Sequence, residues 1–326
     1  MSEMRLVDID CPVCGSKDSR HLFWTCDYVR RISDDRFGVR RCRNCGVGFL
    51  SPRPAEDRIG DFYDDTYYWW AEQQGRQLSP EEQLAARMPQ IEAKAACLAH
   101  LAPGRLLDIG AQKGEFLYVM RQRGWNVEGV EFSARPPNLF DMSIRYGEFL
   151  DMPFETSSLD VVTLWAVLEH VYHPRAYIRK VSSLLKRGGS ALILVTNFNS
   201  IQGRIYRADD YPRHLTLFTK GSLRRLLEES GLKVRRLWTD QRIFGGSLHG
   251  GLVYAVKRLF GYSAQEVFSE WKQAKDPILF CCKWRGENSQ AIRWISRFDR
   301  LISLPTEHLL DATGNGFNLI IEAKRS

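Results

Sequence analysis

Two kinds of apolar pattern divide the chain. From Arg105 onward, short apolar runs such as "RLLDI" and "LDVVTLW" alternate with stretches whose apolar residues recur at helical spacing. They predict strands over 105–109, 125–131, near 142–146, over 159–165 and over 190–196, with helices over 114–123 and 174–185 between them. Gly124 stops the first helix, Pro174 starts the second, and the "KRGG" of residues 186–189 follows its end, which are the expected asymmetric caps. A helix over 221–230 and strands over 233–239 and 317–323 complete the series, the last after an insertion at about 245–312. Parallel strands joined through helices form a sheet covered on both faces. The expected fold class is α/β, a seven-stranded, mostly parallel sheet with helices on both faces.

Before Arg105 the pattern differs. Residues 1–52 alternate apolar and polar positions with few helix signals and read as a small β-rich module, whose end the two prolines of "SPRPAED" mark. Residues 53–100 hold an aromatic run, "FYDDTYYWW" from Phe62 to Trp70, and a helical segment from about Pro80 to His100 closed by "APG". Residues 101–326 form the α/β domain. Within the first module, "CPVCG" (Cys11, Cys14) and "CRNCG" (Cys42, Cys45) are two knuckles with 27 residues between them. Thiolates so spaced can surround one Zn²⁺ tetrahedrally, each glycine letting the turn's amides point toward sulfur. Protein then fills every position, so the ion is structural and the module zinc-ribbon-like. Cys26, Cys97, Cys281 and Cys282 are left over, the last two in an apolar stretch that fits burial.

At 326 residues and 44% hydrophobic, the chain can bury a sizeable core. Its longest apolar runs, such as Ala191–Val195, fall short of the roughly 20 residues a membrane span needs. "MSEMRLVDID" carries acids and no apolar core, unlike a signal peptide, so a cytoplasmic location is expected. A net charge of +7 attracts nucleic acid, anionic lipid or a phosphorylated small molecule alike. The basic residues are spread along the chain without a long block, which fits a solvated surface better than a nucleic-acid footprint. In "AIRWISRFDRLISL", residues 291–304, Ile292, Ile295, Phe298 and Ile302 fall at helical spacing with Arg293, Arg297 and Arg300 between them. Such a basic amphipathic helix fits contact with a membrane surface, a cap over a pocket, or packing on the sheet or a second copy.

"LLDIGAQKGEFL", residues 106–117, runs from strand through a glycine turn into helix. Nicotinamide and flavin sites use G-x-G-x-x-G, with outer glycines about five residues apart. Here Gly110 and Gly114 are four apart, and D-I-G-A-Q-K-G resembles the first motif, D/E-x-G-x-G-x-G, of the class I S-adenosylmethionine-dependent methyltransferases. Asp108, Gly110 and Gly114 match, and Gln112 stands in place of the middle glycine. The resemblance implies a Rossmann-like fold and S-adenosylmethionine as cofactor. Backbone N–H groups at the helix start can meet its carboxylate, and Asp108 offers negative charge to its cationic end. Glu131, closing the second strand in "VEGVEFS", is implied to accept both ribose hydroxyls. "GEFLDMPF" resembles the family's adenine-contacting loop, which carries over Glu148 and Phe149. Phe132 and Trp165, at the ends of the second and fourth strands, complete the implied cofactor-binding set. The resemblance continues through "SLDVVTLWAVLEHVYHP", "VTNFNS" and "HLTLFTKGSLRRLLEESG", so it covers about residues 105–240 and the last strand.

Methyl transfer is an in-line displacement at a sulfonium, which asks the protein to align the acceptor and, for a hydroxyl or carbon acid, to remove a proton. A zinc module, an aromatic link and a methyltransferase domain in this order resemble the sugar C-methyltransferases of deoxysugar pathways and their relatives in polysaccharide clusters. In "YPRHL", Tyr211 and His214 match that family's tyrosine and histidine, and the resemblance implies that they serve the base. Arg213 replaces its glutamate and points to a phosphate or carboxylate on the acceptor. A hydrogen-bonded core role is the alternative for His214. Glu169 and His170 form the "EH" that lines the acceptor side in many members, and adjacent helical positions let one of the two face the pocket squarely. Some quinone O-methyltransferases carry a metal-binding acid three residues earlier. Ala166 stands there, so no catalytic metal is expected. Tyr67, Tyr68, Trp69 and Trp70 can close over the cofactor, stack on a sugar, or pack the module onto the larger domain.

The expected function is methyl transfer from S-adenosylmethionine to an oxygen or carbon of a small acceptor, a sugar, nucleotide sugar or glycan of a polysaccharide pathway. Two alternatives stay open: an rRNA or tRNA methyltransferase whose zinc module binds RNA, and a non-catalytic protein that keeps the fold. Nucleic acid is the less expected partner, and the sequence leaves the oligomeric state open.

Overall fold

The cysteine-bearing part is built from short strands because its apolar positions alternate and its glycine knuckles turn the chain sharply. The computed structural model describes residues 5–27, 32–63, 78–133, 137–200, 203–204, 209–244, 294, 298, 301 and 305–326. In it, β1 (Leu6–Val7), β2 (Ser19–Thr25), β3 (Phe37–Cys42), β4 (Gly48–Leu50) and β5 (Arg53–Pro54) come first. β2, β3 and β4 pair antiparallel in succession, and β5 folds back on β1. A 3-10 segment, Glu56–Phe62, follows and buries Ile59 and Phe62. Helix α1 (Pro80–Ala96) starts at a capping box, in which the Ser79 hydroxyl accepts the Glu82 amide and the Glu82 carboxylate accepts the Ser79 amide.

The α/β part runs β6 (Arg105–Ile109), α2 (Glu115–Gln122), β7 (Asn126–Glu131), β8 (Ile144–Tyr146), β9 (Leu159–Trp165), α3 (Pro174–Leu184), β10 (Leu185–Thr196), β11 (Thr216–Leu217), α4 (Lys220–Glu229), β12 (Leu232–Thr239) and β13 (Asn318–Arg325). Seven of these strands make one sheet in the order β12-β13-β10-β9-β6-β7-β8, with β13 antiparallel to both neighbours and the other pairs parallel. Alternation of side chains sorts the core onto two faces. Leu106, Val161, Leu192 and Ile320 meet α1 and α2, while Leu107, Val162, Ile193 and Ile321 meet α3 and α4. The expected mostly parallel sheet covered on both faces is what the chain forms.

Two features depart from the sequence reading. "KRGG" does not cap α3, which ends at Leu184; it lies inside β10, where Leu185 pairs with Leu159 and Ser190 resumes the ladder with Val161 across a bulge. Gly188 takes φ 79 there, a left-handed conformation that suits glycine. The second departure is β11, which pairs antiparallel with β4 and so joins the cysteine-bearing sheet rather than the large one. The run 64–70 with Tyr67, Tyr68, Trp69 and Trp70, the pair Cys281 and Cys282, and most of the 245–304 insertion lie outside the described residues. Of the basic amphipathic segment, Trp294, Phe298 and Leu301 are described and exposed. No helix among the described residues is long and apolar enough to cross a membrane.

Candidate active site

In an open α/β sheet the strand order reverses at one point, and ligands bind in the crevice beyond the strand C-termini there. Here that point lies between β6 and β9. A cavity of about 400 Å³ opens at it, walled by the loop after β6, the ends of β7 and β9, the loop after β8 and the 3-10 segment before Tyr63. This size falls in the range of small-molecule sites. Of the sequence-predicted residues, Gly110, Gln112, Glu131, Phe132, Glu148, Phe149, Trp165 and His170 line the cavity; Asp108, Gly114, Glu169, Tyr211 and His214 do not.

The loop after β6 has the shape of a cradle. Gly110 takes φ 84, and a Cβ there would collide with the Val167 side chain, so glycine is required on both counts. Gln112, the residue without a glycine's freedom, is left-handed as well at φ 50. Its amide donates to Glu131 Oε2 at 2.9 Å, and its side-chain oxygen accepts from Arg87 Nη2 at 3.3 Å. Arg87, on α1, also pairs with Glu115 at 2.9 Å. Helix α1 therefore holds the turn from outside, a tie that no motif announces. Glu131 receives the Gln112 and Ser133 amides, and burial pushes its carboxyl above the ordinary value. Glu148 accepts the Tyr177 hydroxyl at 2.5 Å and the Leu150 amide at 3.1 Å, which fixes the loop that carries Phe149. Trp165 Nε1 is buried with no partner among the described residues, a donor at the cavity wall.

Asp108 sits differently from its sequence reading. The pleat turns it toward the α1 face, where it lies opposite Thr163 and accepts that hydroxyl at 2.5 Å. Burial pushes its carboxyl up to about 7 against the pull of Lys94 on α1 and the Thr163 bond. Lys94 is in turn brought down to about 8 by burial, and its ammonium lies over the rings of Phe116, Trp165 and Phe244. Asp108 thus supports the loop from within the core and its charge is balanced by lysine.

A cluster of polar groups closes the other end of the cavity. His170 Nδ1 is 3.0 Å from the Tyr63 hydroxyl, and its ring meets His214 edge to face with centroids 4.5 Å apart. His214 Nδ1 lies 2.7 Å from Asp209. Burial opposes charge on His214, but Asp209 outweighs it and raises the imidazole above its usual value. His170 shows the opposite: burial, with His214 and Arg213 beside it, holds it well below its usual value, hence neutral. Glu169 is fully buried, accepts the Thr196 amide at 3.3 Å and is pushed up to about 7 by burial. Donor atoms of Glu169, His170 and His214 lie within 4.8 Å of one another, as in a cation site, but both rings already face protein partners. Tyr211 is buried among Phe37, Phe62 and Leu217. Arg213, read from the sequence as a contact for an acceptor anion, is 1% exposed; its guanidinium is held by Asp210 and the Phe62 carbonyl, so it has no face toward an acceptor.

Away from the cavity, Cys11, Cys14, Cys42 and Cys45 bring their sulfurs within 4.8 Å of one another, with the Cys11–Cys45 and Cys14–Cys42 pairs at 3.5 Å. Tetrahedral zinc with bonds of about 2.3 Å separates its sulfurs by about 3.8 Å, so this donor set fits the ion. The knuckles are tied to the helices by two arginines the sequence reading passed over. Arg175 Nε donates to the Val13 carbonyl at 2.7 Å and Arg225 Nη1 to the Asn44 carbonyl at 3.0 Å, and both bind Glu229.

The chain is 26% identical over 159 residues to a ubiquinone biosynthesis O-methyltransferase of Cupriavidus pinatubonensis, a match covering 45% of this chain and 61% of that protein. It is 30% identical over 149 residues to one of Paraburkholderia phytofirmans, covering 42% and 62%. The chain thus spans about six-tenths of the length of these relatives. Among solved structures, the complex between the Haloferax volcanii Trm112 methyltransferase activator and the putative methyltransferase aligns with TM-score 0.49 and 14% identity, covering 80% of this chain and 95% of the matched one. The family model described as "Methyltransferase domain" matches residues 57–237, more than half of the chain, and the protein belongs to that family.

Proposed function

We propose that the protein transfers a methyl group from S-adenosylmethionine to a hydroxyl oxygen of a small acceptor. The observation that carries this reading is the two-ended cavity, with a glycine cradle and the Glu131 carboxylate at one end and the neutral His170 beside Tyr63 at the other. Two features of the chain fit the cofactor: the left-handed turn at Gly110 and Gln112, which lines the cavity, and Trp165 Nε1 at the wall, buried with no hydrogen-bond partner among the described residues. Gly110 and Gln112 would hold its amino-acid end, Glu131 its ribose hydroxyls, and Phe149 its adenine face. When bound, the cofactor supplies an electrophilic methyl on a sulfonium. The chain's own part is to align a hydroxyl on that methyl, exclude water and take one proton, which His170 is placed to accept.

Among hydroxyl acceptors, the sequence resemblance favours a sugar or nucleotide sugar, and the names of the relatives favour an oxygen acceptor of ubiquinone biosynthesis. One structural Zn²⁺ on Cys11, Cys14, Cys42 and Cys45 completes the proposal; with four protein ligands it has no open position for chemistry. The test is calorimetry of zinc-replete protein with S-adenosylmethionine and S-adenosylhomocysteine, followed by methyl transfer to a panel of catechols, sugars and nucleotide sugars. Micromolar binding of both cofactor forms and transfer to one panel class is expected. If neither form binds, the non-catalytic alternative takes its place.

A further inference from the structure

We propose that Arg87 of α1 keeps the amino-acid end of the cofactor site open by holding the Gln112 side chain against the helix. The inference rests on the methyl-transfer reading of the cavity and gives a role to a residue that no motif contains. Gln112 stands where the D/E-x-G-x-G-x-G pattern has its middle glycine, and it takes φ 50, a conformation that glycine adopts freely and most other residues do not. A glycine there would bring no side chain to the turn. Glutamine brings a long, flexible one to the wall of the cavity beside Gly110, so its direction decides how much room a ligand finds.

Arg87 sets that direction. An arginine side chain only donates, so the Gln112 side-chain oxygen faces the guanidinium, 3.3 Å from Nη2. Arg87 does not itself line the cavity, so the bond draws the far end of Gln112 toward α1 and away from the ligand space. The guanidinium is held in turn. Its Nη1 donates to Oε1 of the buried Glu115, the first residue of α2, at 2.9 Å, and a planar fork fixed at one nitrogen has little freedom at the other. One helical turn earlier on α1, Gln83 accepts Lys113 Nζ at 2.8 Å. Two successive residues of the cofactor turn are thus tied to one face of α1. That helix is anchored by Ile91 and Ala95, which share an apolar core with Phe116 and Met120.

The backbone of Gln112 has a separate anchor, its amide donating to Glu131 Oε2 at 2.9 Å. Loss of the Arg87 bond therefore leaves the turn in place and frees only the side chain, which can then swing over the wall it stands on. There it competes with the cofactor for space, and the competition disappears when glycine replaces the glutamine. Arg87 is in this sense a positioning residue: it acts on cofactor binding through Gln112, at the end of the cavity away from His170.

The experiment uses full-length, zinc-replete parent, Arg87→Met, Gln112→Gly and the double variant. It reads S-adenosylhomocysteine affinity by calorimetry, melting, and kcat and KM for S-adenosylmethionine with whichever hydroxyl acceptor the parent methylates. Arg87→Met keeps the apolar stem and removes the fork. It is expected to weaken S-adenosylhomocysteine about tenfold, the scale of one charge-assisted hydrogen bond, and to raise KM for S-adenosylmethionine in step while kcat stays within a few-fold. In the Gln112→Gly background the same change should cost less than about twofold, because no side chain remains to be held. An equal loss in both backgrounds would show that Arg87 serves only to dock α1 through Glu115, and it overturns the proposal. So does an Arg87→Met variant that binds like the parent, and so does a Gln112→Gly variant that binds no S-adenosylhomocysteine, since the side chain would then be a contact the ligand needs. Arg87→Lys covers the case in which the methionine variant does not fold: it keeps a charge opposite Glu115, loses the fork, and should show the same dependence on Gln112. A parent that binds neither cofactor form overturns the methyl-transfer reading and the proposal with it.

Discussion

Glu169 illustrates how one residue can look catalytic in sequence and act through burial in the fold. Its side chain is fully buried and its carboxyl titrates near 7 instead of 4.5, because burial penalises the charged form more than His214 favours it. The folded state therefore holds the proton more tightly than the unfolded chain. The associated stability is complete below about pH 4.5 and is lost as pH rises through about 7. Glu169→Gln keeps the shape and the acceptor for the Thr196 amide but cannot ionise. Thermal melts at pH 5 and pH 8 should show the variant gaining on the parent at the higher pH by at most about 3 kcal/mol; a gain at pH 5 instead would reverse the sign of this account. Gly110 makes the complementary case, where the residue acts through what it lacks. Gly110→Ala places a methyl against Val167 at a φ of 84, so cofactor affinity in calorimetry should fall about tenfold or more, from strain on the order of 1–3 kcal/mol. Unchanged affinity would mean that the turn does not hold the cofactor.

At the scale of elements, local signals were legible and distant pairings were not. The buried runs at 105–109 and 159–165 became β6 and β9 at the predicted residues, because a strand covered on both faces reads as a short, mostly apolar run with sharp ends. "KRGG" was misread because a glycine pair after a helix has the composition of both a cap and a bulge, and only the ladder on Leu159 and Val161 decides between them. Of the candidate site, the legible residues were those beside strand ends, Gly110, Gln112, Glu131, Glu148, Phe149 and His170. Tyr63 and Arg87 come from elements before the sheet begins, and only tertiary packing brings Tyr63 to the cavity and Arg87 to the Gln112 side chain. β11 is the clearest limit: two residues have no period, and their partner β4 lies far back in the chain. That pairing has its own test at Gly48, where a Cβ would meet the Phe198 ring at 2.8 Å and the Leu217 Cβ at 3.0 Å. Gly48→Ala should cost about 1–3 kcal/mol of stability by forcing β11 away, measured as a lowered melting temperature with the zinc content intact. A variant that melts with the parent would show that β11 yields at no cost.

For the whole molecule, the question is whether the cysteine-bearing sheet and the α/β sheet stand or fall together. Cys11, Val13, Cys42, Val47 and Phe49 share one apolar core with Leu164, Ile178, Phe218 and Leu223, so the knuckles are part of the packing on the α3 and α4 face. Arg175 and Arg225 reach from those helices to the knuckle carbonyls, and β11 crosses from the segment that carries His214 into the module's sheet. A metal ion in the four-cysteine cluster would bind the folded chain more strongly than the unfolded one, and that difference is folding free energy. Because the core is shared, the effect should spread through the chain instead of stopping at the knuckles. Full-length protein is therefore expected to carry one zinc per chain and to melt in a single calorimetric transition. Chelation, or Cys42→Ser, should move that whole transition down and weaken cofactor binding with it, since the wall bearing Tyr63 and His170 packs against Phe37 and Leu50 of the module through Phe62 and Tyr172. Two separate transitions, with only the lower one sensitive to chelator, would show that the shared core does not couple the parts and that the cluster serves the module alone.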